Sequence, residues 1–134
     1  MKKVIYVAGP FRAVNPDGSP DMFRVHQNVI RAMALGLEVW LRGAVALVPH
    51  ANTWCYTGAS GLADQVWLDG DLELVRRCDA VLLTPDWVKS HGAYQEQAVA
   101  HSLNLPVFYT LGQLDAWLSE VRARESIGDG TGVR

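Results

Sequence analysis

The fold is decided by a short stretch near the start of the chain, Val-Ile-Tyr-Val-Ala-Gly-Pro at residues 4–10. Its continuous apolar run predicts a buried strand over Val4–Ala8, because a strand covered on both faces needs no polar alternation. Gly9 and Pro10 mark the end of that strand. Two lysines precede the run and suggest a signal peptide, but the run is too short and no small-residue cleavage site follows. We therefore interpret it as the first strand of a sheet.

Outward from this strand, short apolar runs alternate with amphipathic stretches. The predicted helices cover residues 22–41, with Asp21 as the N-cap, and residues 64–77, 92–103 and 111–124. The further predicted strands cover residues 44–48, 79–84 and 106–109, and loops are predicted at 12–20 and 51–63. This order predicts an α/β three-layer fold, with a parallel sheet of four to five strands and helices on both faces.

The composition is typical of a single globular domain. The chain has 134 residues, of which 49% are hydrophobic and 19% charged. We expect one domain over residues 1–127 and a flexible, glycine-rich tail over 128–134. A net charge of −2 gives no support for binding a nucleic-acid polymer, and no apolar run has the ~18 residues of a membrane span. Without an export signal, Cys55 and Cys78 are expected to be reduced and the protein cytoplasmic.

Two acidic residues fall on apolar faces of their predicted helices. Glu96 is followed at offsets of three, four and seven by Val99, Ala100 and Leu103. Asp71 has apolar residues at offsets of three and four on both sides. A single acid on an apolar helix face is equally well explained as a structural carboxylate and as a functional one. Two of them, on helices that begin at the carboxyl edge of a parallel sheet, favour a ligand site.

The surroundings of the two acids predict different roles. Glu96 lies near the start of its helix, where the helix dipole favours an anion, so we expect it to be ionised and to act as a nucleophile. The apolar neighbours of Asp71 are expected to raise its pKa. Two carboxylates held in different environments are the usual arrangement for cleaving a glycosidic bond.

The segment that closes the first strand is a candidate for substrate binding. Tyr6, Gly9 and Pro10 lie where the backbone can approach a ligand closely, although a plain turn explains Gly9 and Pro10 equally well. No dinucleotide-binding or P-loop motif is present. Trp54 and Trp87 lie in loops on the ligand side and are candidates for stacking. The other tryptophans are expected in the core: Trp40, Trp67 and Trp117.

The segment before the helix of Glu96 is a second candidate. Ser90 or His91 is suited to cap that helix, and the N–H groups up to Gly92 form a natural site for an anion. Asp86 is suited to accept hydrogen bonds from a sugar or base, although it also suits a turn beside a proline. The four histidines lack the spacing of metal ligands, so no metal site is expected.

Several short motifs occur in a specific order. They are Tyr-Val-Ala-Gly-Pro at 6–10, Gly-Ala-Val-Ala-Leu-Val-Pro-His at 43–50, Asp-Leu at 71–72, Cys-Asp-Ala-Val at 78–81, and Ser-His-Gly at 90–92 followed by Glu96 and Ala100. Together they resemble the nucleoside 2-deoxyribosyltransferase-like superfamily, which includes nucleoside 5′-monophosphate N-glycosidases. The resemblance covers about residues 3–110.

This resemblance implies a flavodoxin-like, Rossmann-like fold and a homo-oligomer in which a neighbour often completes the site. It implies that Glu96 is the nucleophile that attacks the anomeric carbon and that Asp71 handles the proton of the departing base. It implies that Asp86 contacts the sugar or base, and that Ser90 binds the 5′-phosphate where the substrate is a nucleotide.

The sequence thus predicts a retaining N-glycosidase acting on a (2′-deoxy)nucleoside 5′-monophosphate or nucleoside. The expected intermediate is a glycosyl ester of Glu96, with water or a second base as acceptor. No metal or organic cofactor is expected. The alternatives are a nucleoside 2-deoxyribosyltransferase proper and a non-catalytic nucleotide-binding or sensing module.

Overall fold

A parallel sheet forms the centre of the structure, a computed structural model that describes residues 1–56 and 61–131. The strands are β1 (Val4–Ala8), β2 (Val45–Leu47), β3 (Ala80–Leu83) and β4 (Val107–Phe108). The helices are α1 (Met22–Leu41), α2 (Pro49–Thr53), α3 (Asp64–Arg76), α4 (His91–Ser102) and α5 (Leu111–Thr131). Single 3-10 turns lie at Trp54–Tyr56 and Trp87–Lys89.

Within the described residues the strand order is β2-β1-β3-β4 and every pair is parallel. Tyr6 of β1 lies opposite Leu47 of β2 and Val81 of β3. This order corresponds to the first four strands of the flavodoxin-like arrangement. The predicted α/β fold with a parallel sheet is confirmed.

Alternate residues of β1 face two different helical layers, as strand geometry requires. Ile5 faces the layer of α1 and α5, and Tyr6 faces the layer of α3 and α4. The first cluster contains Ile5, Val39, Ala44, Ala80, Leu82, Phe108, Leu114 and Leu118. The second contains Tyr6, Ala8, Val75, Cys78, Val81, Leu83, Ala93 and Ala100. The central strands are therefore buried on both faces, which explains why β1 reads as one apolar run.

The predicted helix over 22–41 is confirmed, including its cap. The Asp21 carboxylate accepts a hydrogen bond from the Arg24 backbone N–H at 3.1 Å. This bond satisfies one of the N–H groups that a helix start leaves unpaired.

The predicted loop over 51–63 is wrong in its first part, because α2 and the turn Trp54–Tyr56 occupy it. Pro49 stands at the first position of α2, where its fixed φ and missing N–H suit a helix start as well as they suit a strand end. Residues 57–60 of that loop lie outside the described residues.

The predicted end of the last helix at residue 124 is also wrong, since α5 continues to Thr131. It therefore includes part of the segment 128–134 that was expected to be a tail. Each glycine costs a helix only about 1 kcal/mol relative to alanine, so Gly128 and Gly130 do not force it to end. Residues 132–134 lie outside the described residues.

In the part of the chain that the structure describes, every helix is too short or too polar to cross a lipid bilayer.

Candidate active site

A cavity of about 810 Å³ opens at the carboxyl edge of the sheet. Its described lining comes from residues 9–25, 49–53, 61–71 and 89–96. The chain leaves β1 toward the layer of α1 and leaves β3 toward the layer of α4, so a crevice forms between these two strand ends. Ligands of open α/β sheets bind at such a switch point.

Glu96 is the buried acid of this cavity. It lies on α4, is 6% exposed, and its Oε2 atom has no hydrogen-bond partner among the described residues. Burial, together with the nearby charge of Asp71, raises the pKa of the Glu96 carboxyl to about 8. The expectation that the helix dipole keeps Glu96 ionised is therefore wrong. Glu96 is the sixth residue of α4, where the dipole has weakened and desolvation dominates.

Asp71 lies on α3 and lines the same cavity. Its carboxyl is partly buried, and this burial raises its pKa to about 6. The predicted upward shift of the Asp71 pKa is therefore borne out. Because the two acids interact, they titrate as a pair, which holds one proton between about pH 6 and 8.

Tyr6 lies behind Glu96 rather than on the cavity wall. It is completely buried in β1, and its hydroxyl has no hydrogen-bond partner of regular geometry in the described structure. The hydroxyl is still close enough to the Glu96 carboxylate to oppose the rise in the Glu96 pKa. Burial and the two nearby acids raise the pKa of Tyr6 itself, so the phenol keeps its proton. We predicted that Tyr6 contacts the substrate, but in the structure its side chain is buried and its hydroxyl interacts with the Glu96 carboxylate instead.

Gly9 and Pro10 line the cavity, as predicted, and His50 holds their backbone in place. The His50 Nε2 lies 3.1 Å from the Gly9 carbonyl oxygen and 3.0 Å from that of Pro10, so Nε2–H is the donor. Burial lowers the pKa of His50, which keeps the ring neutral. A Cβ on Gly9 would lie 2.6 Å from the Thr84 Cγ2, so close packing of β1 on β3 requires a glycine there.

Ser90 and Gly92 also line the cavity. Ser90 is the N-cap of α4, which decides between the two predicted caps, and its Oγ accepts a hydrogen bond from the Ala93 N–H at 3.0 Å. The Ser90 hydroxyl proton is left to donate elsewhere. A Cβ on Gly92 would lie 3.8 Å from the Glu96 Oε1, which is ordinary van der Waals contact, so Gly92 lies beside the carboxylate.

Asp86 is not brought to the cavity lining. Its carboxylate accepts a hydrogen bond from the Thr84 hydroxyl at 2.8 Å and pairs with Arg31 at 3.1 Å. The prediction that Asp86 binds sugar or base finds no support in this geometry, because both carboxylate oxygens already have partners in the same chain.

The aromatic residues of the site differ from those predicted. Trp54 and Trp87 do not line the cavity: Trp54 lies against His26, and Trp87 packs against Tyr94. Trp67, which was expected in the core, lines the cavity and stacks on Tyr56 with ring centroids 6.0 Å apart. Helical spacing placed Trp67 on an apolar face, but spacing does not distinguish a face on the core from one on a cavity.

Two cationic side chains on the lining, Arg12 and Lys89, had no signal in the sequence. The Arg12 guanidinium pairs with Asp64 at 2.5 Å, and both side chains are largely exposed. Lys89 directly precedes Ser90. Lys89 thus places a positive charge close in sequence to the N-terminus of α4. No group of three or more His, Cys, Asp or Glu within the described ranges has an arrangement that holds a metal ion.

The comparisons with known proteins place the chain in a family. A family model described as "Domain of unknown function (DUF4406)" matches residues 3–109, so the chain belongs to this family. A solved structure, "2-desoxiribosyltransferase from Leishmania mexicana", is similar at 23% identity and a TM-score of 0.42. The match covers 78% of this chain and 61% of that one, so the chain spans less than two thirds of that structure's length. No curated protein matches the chain.

The buried Glu96 predicts a specific pH dependence of stability. With an ordinary pKa of 4.5 and a native pKa of about 8, the native state holds a proton that the unfolded state releases. Stability therefore falls as pH rises between these values. Glu96→Gln removes this titration, so the variant should gain on the order of 3 kcal/mol relative to wild type between pH 5 and pH 9.

Urea unfolding of both proteins at several pH values measures this difference. Glu120→Gln, which changes an exposed glutamate on α5, is the control and should parallel wild type throughout. Parallel curves for Glu96→Gln would contradict the assigned burial of the charge.

Proposed function

We propose that the protein is a retaining N-glycosidase that cleaves the bond between base and sugar of a nucleoside 5′-monophosphate, with water as the acceptor. The observation that carries the proposal is the pair Glu96 and Asp71, two acids with raised pKa values facing one cavity. The motif resemblance described above supports the same chemistry. A module that only binds anionic nucleotides gains nothing from burying two acids beside them.

The single proton of the pair supplies both reactive groups. A pair with one proton exists in two forms, and the reactive form has Glu96 ionised and Asp71 protonated. This form becomes favourable when positive charge develops on the sugar next to Glu96, because the carboxylate then gains an opposite charge in a site of low dielectric constant. The Tyr6 hydroxyl, which interacts with Glu96, favours the ionised carboxylate further.

In the first step the Glu96 carboxylate attacks the anomeric carbon and the bond to the base nitrogen breaks. The bonding electrons leave with the base, and Asp71 donates its proton to the base. In the second step Asp71 accepts a proton from water, and the hydroxide oxygen attacks the anomeric carbon. The ester to Glu96 breaks, which restores the acid and releases a pentose 5-phosphate. Two displacements give net retention of configuration.

The N-terminus of α4 is the proposed site of the 5′-phosphate. The Ser90 hydroxyl proton and the first N–H groups of this 12-residue helix are the donors, and Lys89 adds a positive charge. Because the phosphate site and Glu96 belong to the same helix, the binding energy of the phosphate orients the anomeric carbon toward the nucleophile. Transfer to a second base is the alternative outcome for the same intermediate.

The decisive experiment identifies products and the intermediate. Incubation with individual nucleoside 5′-monophosphates should release free base and a pentose 5-phosphate, identified by chromatography and mass spectrometry. A 2′-fluoro analogue, whose intermediate hydrolyses slowly, should leave an adduct on Glu96. Glu96→Gln should abolish base release and adduct, whereas Glu120→Gln should retain both. Binding without base release from any substrate would exclude the enzyme, and an adduct on another residue would exclude this nucleophile.

Asp71 is expected to set the alkaline limb of activity. For wild type, kcat/KM should rise near pH 6 and fall near pH 8, because the reaction needs one proton on the pair. Asp71→Asn should lower kcat/KM about 10²–10⁴-fold and remove the fall at high pH. For substrates with activated leaving groups, the loss of kcat/KM in Asp71→Asn should be smaller, because their departing base needs less protonation. Asp69→Asn, an exposed acid on the same helix, is the control. Equal losses for good and poor leaving groups would assign Asp71 to positioning instead.

Ser90 is expected to discriminate monophosphate from nucleoside. Ser90→Asp keeps a good helix cap but places a negative charge at the proposed phosphate site. It should lower kcat/KM for the monophosphate by about 100-fold or more and affect the nucleoside far less. Ser90→Ala should show the same selectivity with a smaller loss. Equal losses on both substrates, or efficient exchange on addition of a free base, would favour the nucleoside transferase.

A further inference from the structure

Trp67 is a large aromatic side chain that the packing of the core does not account for. Among the described residues, two buried clusters lie on the faces of the sheet, and Trp67 belongs to neither of them. It is partly exposed, and it forms part of the cavity wall. Tyr56 stacks on the indole, with the ring centroids 6.0 Å apart and the ring planes 24° from parallel. A second aromatic ring, rather than the core, thus supports the indole at the cavity.

The position of Trp67 on α3 places this aromatic surface beside one of the two acids. Trp67 precedes Asp71 by four residues, and residues four apart lie on one face of a helix with their Cβ atoms about 5–6 Å apart. Both side chains line the same cavity. In the proposed reaction Asp71 gives its proton to the departing base, so that base lies within about one helical turn of the indole.

We propose that Trp67 is the surface on which the base of the substrate stacks, and that the substrates are purine nucleoside 5′-monophosphates. The inference rests on the proposed function and names the class of base. Bases stack on aromatic side chains because every base has a π face. The two fused rings of a purine cover the two rings of an indole more completely than a single pyrimidine ring does. The larger contact removes more apolar surface from water.

The acid pair favours the same class of base. A purine is joined to the sugar through N9, and its basic ring nitrogens N3 and N7 are each one carbon atom away from N9. When Asp71 protonates one of them, the electrons of the broken bond pass to the base and the purine leaves as a neutral molecule. Uracil and thymine have no basic ring nitrogen and leave as anions, which the negative charge of Glu96 and Asp71 opposes. The stacking surface and the acids therefore select the same substrates.

Steady-state kinetics test the stacking surface with a matched pair of variants. Wild type should cleave adenosine and guanosine 5′-monophosphates with a kcat/KM about 10-fold or more above that for uridine 5′-monophosphate. Trp67→Leu should lower kcat/KM for the two purine nucleotides about 10–100-fold, and Trp67→Phe should recover part of that loss. Trp40→Leu makes the same change at an exposed tryptophan of α1 and should have no effect. Equal kcat/KM for all three nucleotides, or full activity of Trp67→Leu, would overturn the proposal.

A binding experiment separates the stacking surface from the chemistry, because it uses a Glu96→Gln background in which no base is released. Adenosine 5′-monophosphate should quench the tryptophan fluorescence of this variant. Addition of Trp67→Phe should remove most of the quenching, whereas addition of Trp40→Phe should preserve it.

The two experiments distinguish a failure of this inference from a failure of the proposed function. Base release by wild type without quenching through Trp67 would refute the stacking surface and leave the glycosidase standing. Quenching through Trp67 without base release from any monophosphate by wild type would refute the glycosidase and leave a purine-binding surface standing.

Discussion

The burial of the Glu96 carboxyl beside the Tyr6 hydroxyl is the constraint on which the site depends. Tyr6 stands on the central strand β1, and helices cover both faces of that strand, so water does not reach the phenol. Glu96 is held against it from α4. An acid in this position binds a proton at neutral pH because burial penalises its charged form and the charge of Asp71 adds to that penalty. The fold therefore holds, at the wall of a cavity, a carboxyl that is protonated in the absence of a nearby cation and ionises when positive charge approaches.

The sheet topology explains why the second acid is at the same place. The connection after β2 crosses to the layer of α4, which brings α3 alongside it, and Asp71 faces the cavity from α3. The connection after β1 stays on the other side and contributes Gly9 and Pro10 as the opposite wall. Acids from one layer and backbone from the other thus enclose one crevice. His50 and Asp86 have structural roles that require no contact with a substrate. His50 donates a hydrogen bond to the Gly9 and Pro10 carbonyls, and Asp86 accepts one from the Thr84 hydroxyl, so each residue holds a loop that follows a strand.

Periodicity in the sequence was sufficient to predict β1, α1 with its Asp21 cap, the sheet, and the inward direction of the two acids. It was insufficient where one pattern fits two structures. Pro49 suits a strand end and a helix start equally, so α2 was missed. The sign of the Glu96 pKa shift depends on burial and on Asp71 from another helix, which local sequence does not contain. Trp40 shows a further limit: it is 55% exposed although its spacing is helical, because α1 carries two apolar faces and only one packs inward.

In the proposed complex, the negative charges of the bound phosphate and of the two acids repel one another until positive charge develops on the sugar. In the proposed reaction the phosphate lies at the start of α4, with Lys89 and the helix N-terminus, and Glu96 lies about one and a half turns further along. A negative phosphate at that distance disfavours the loss of the last proton from the pair, so phosphate binding raises the pH at which the pair loses that proton. The same field raises the free energy of the reactive Glu96 anion before the base departs. Positive charge on the sugar then relieves both repulsions at once. The buried acid is thus costly in the ground state, and that cost is recovered where the sugar becomes cationic.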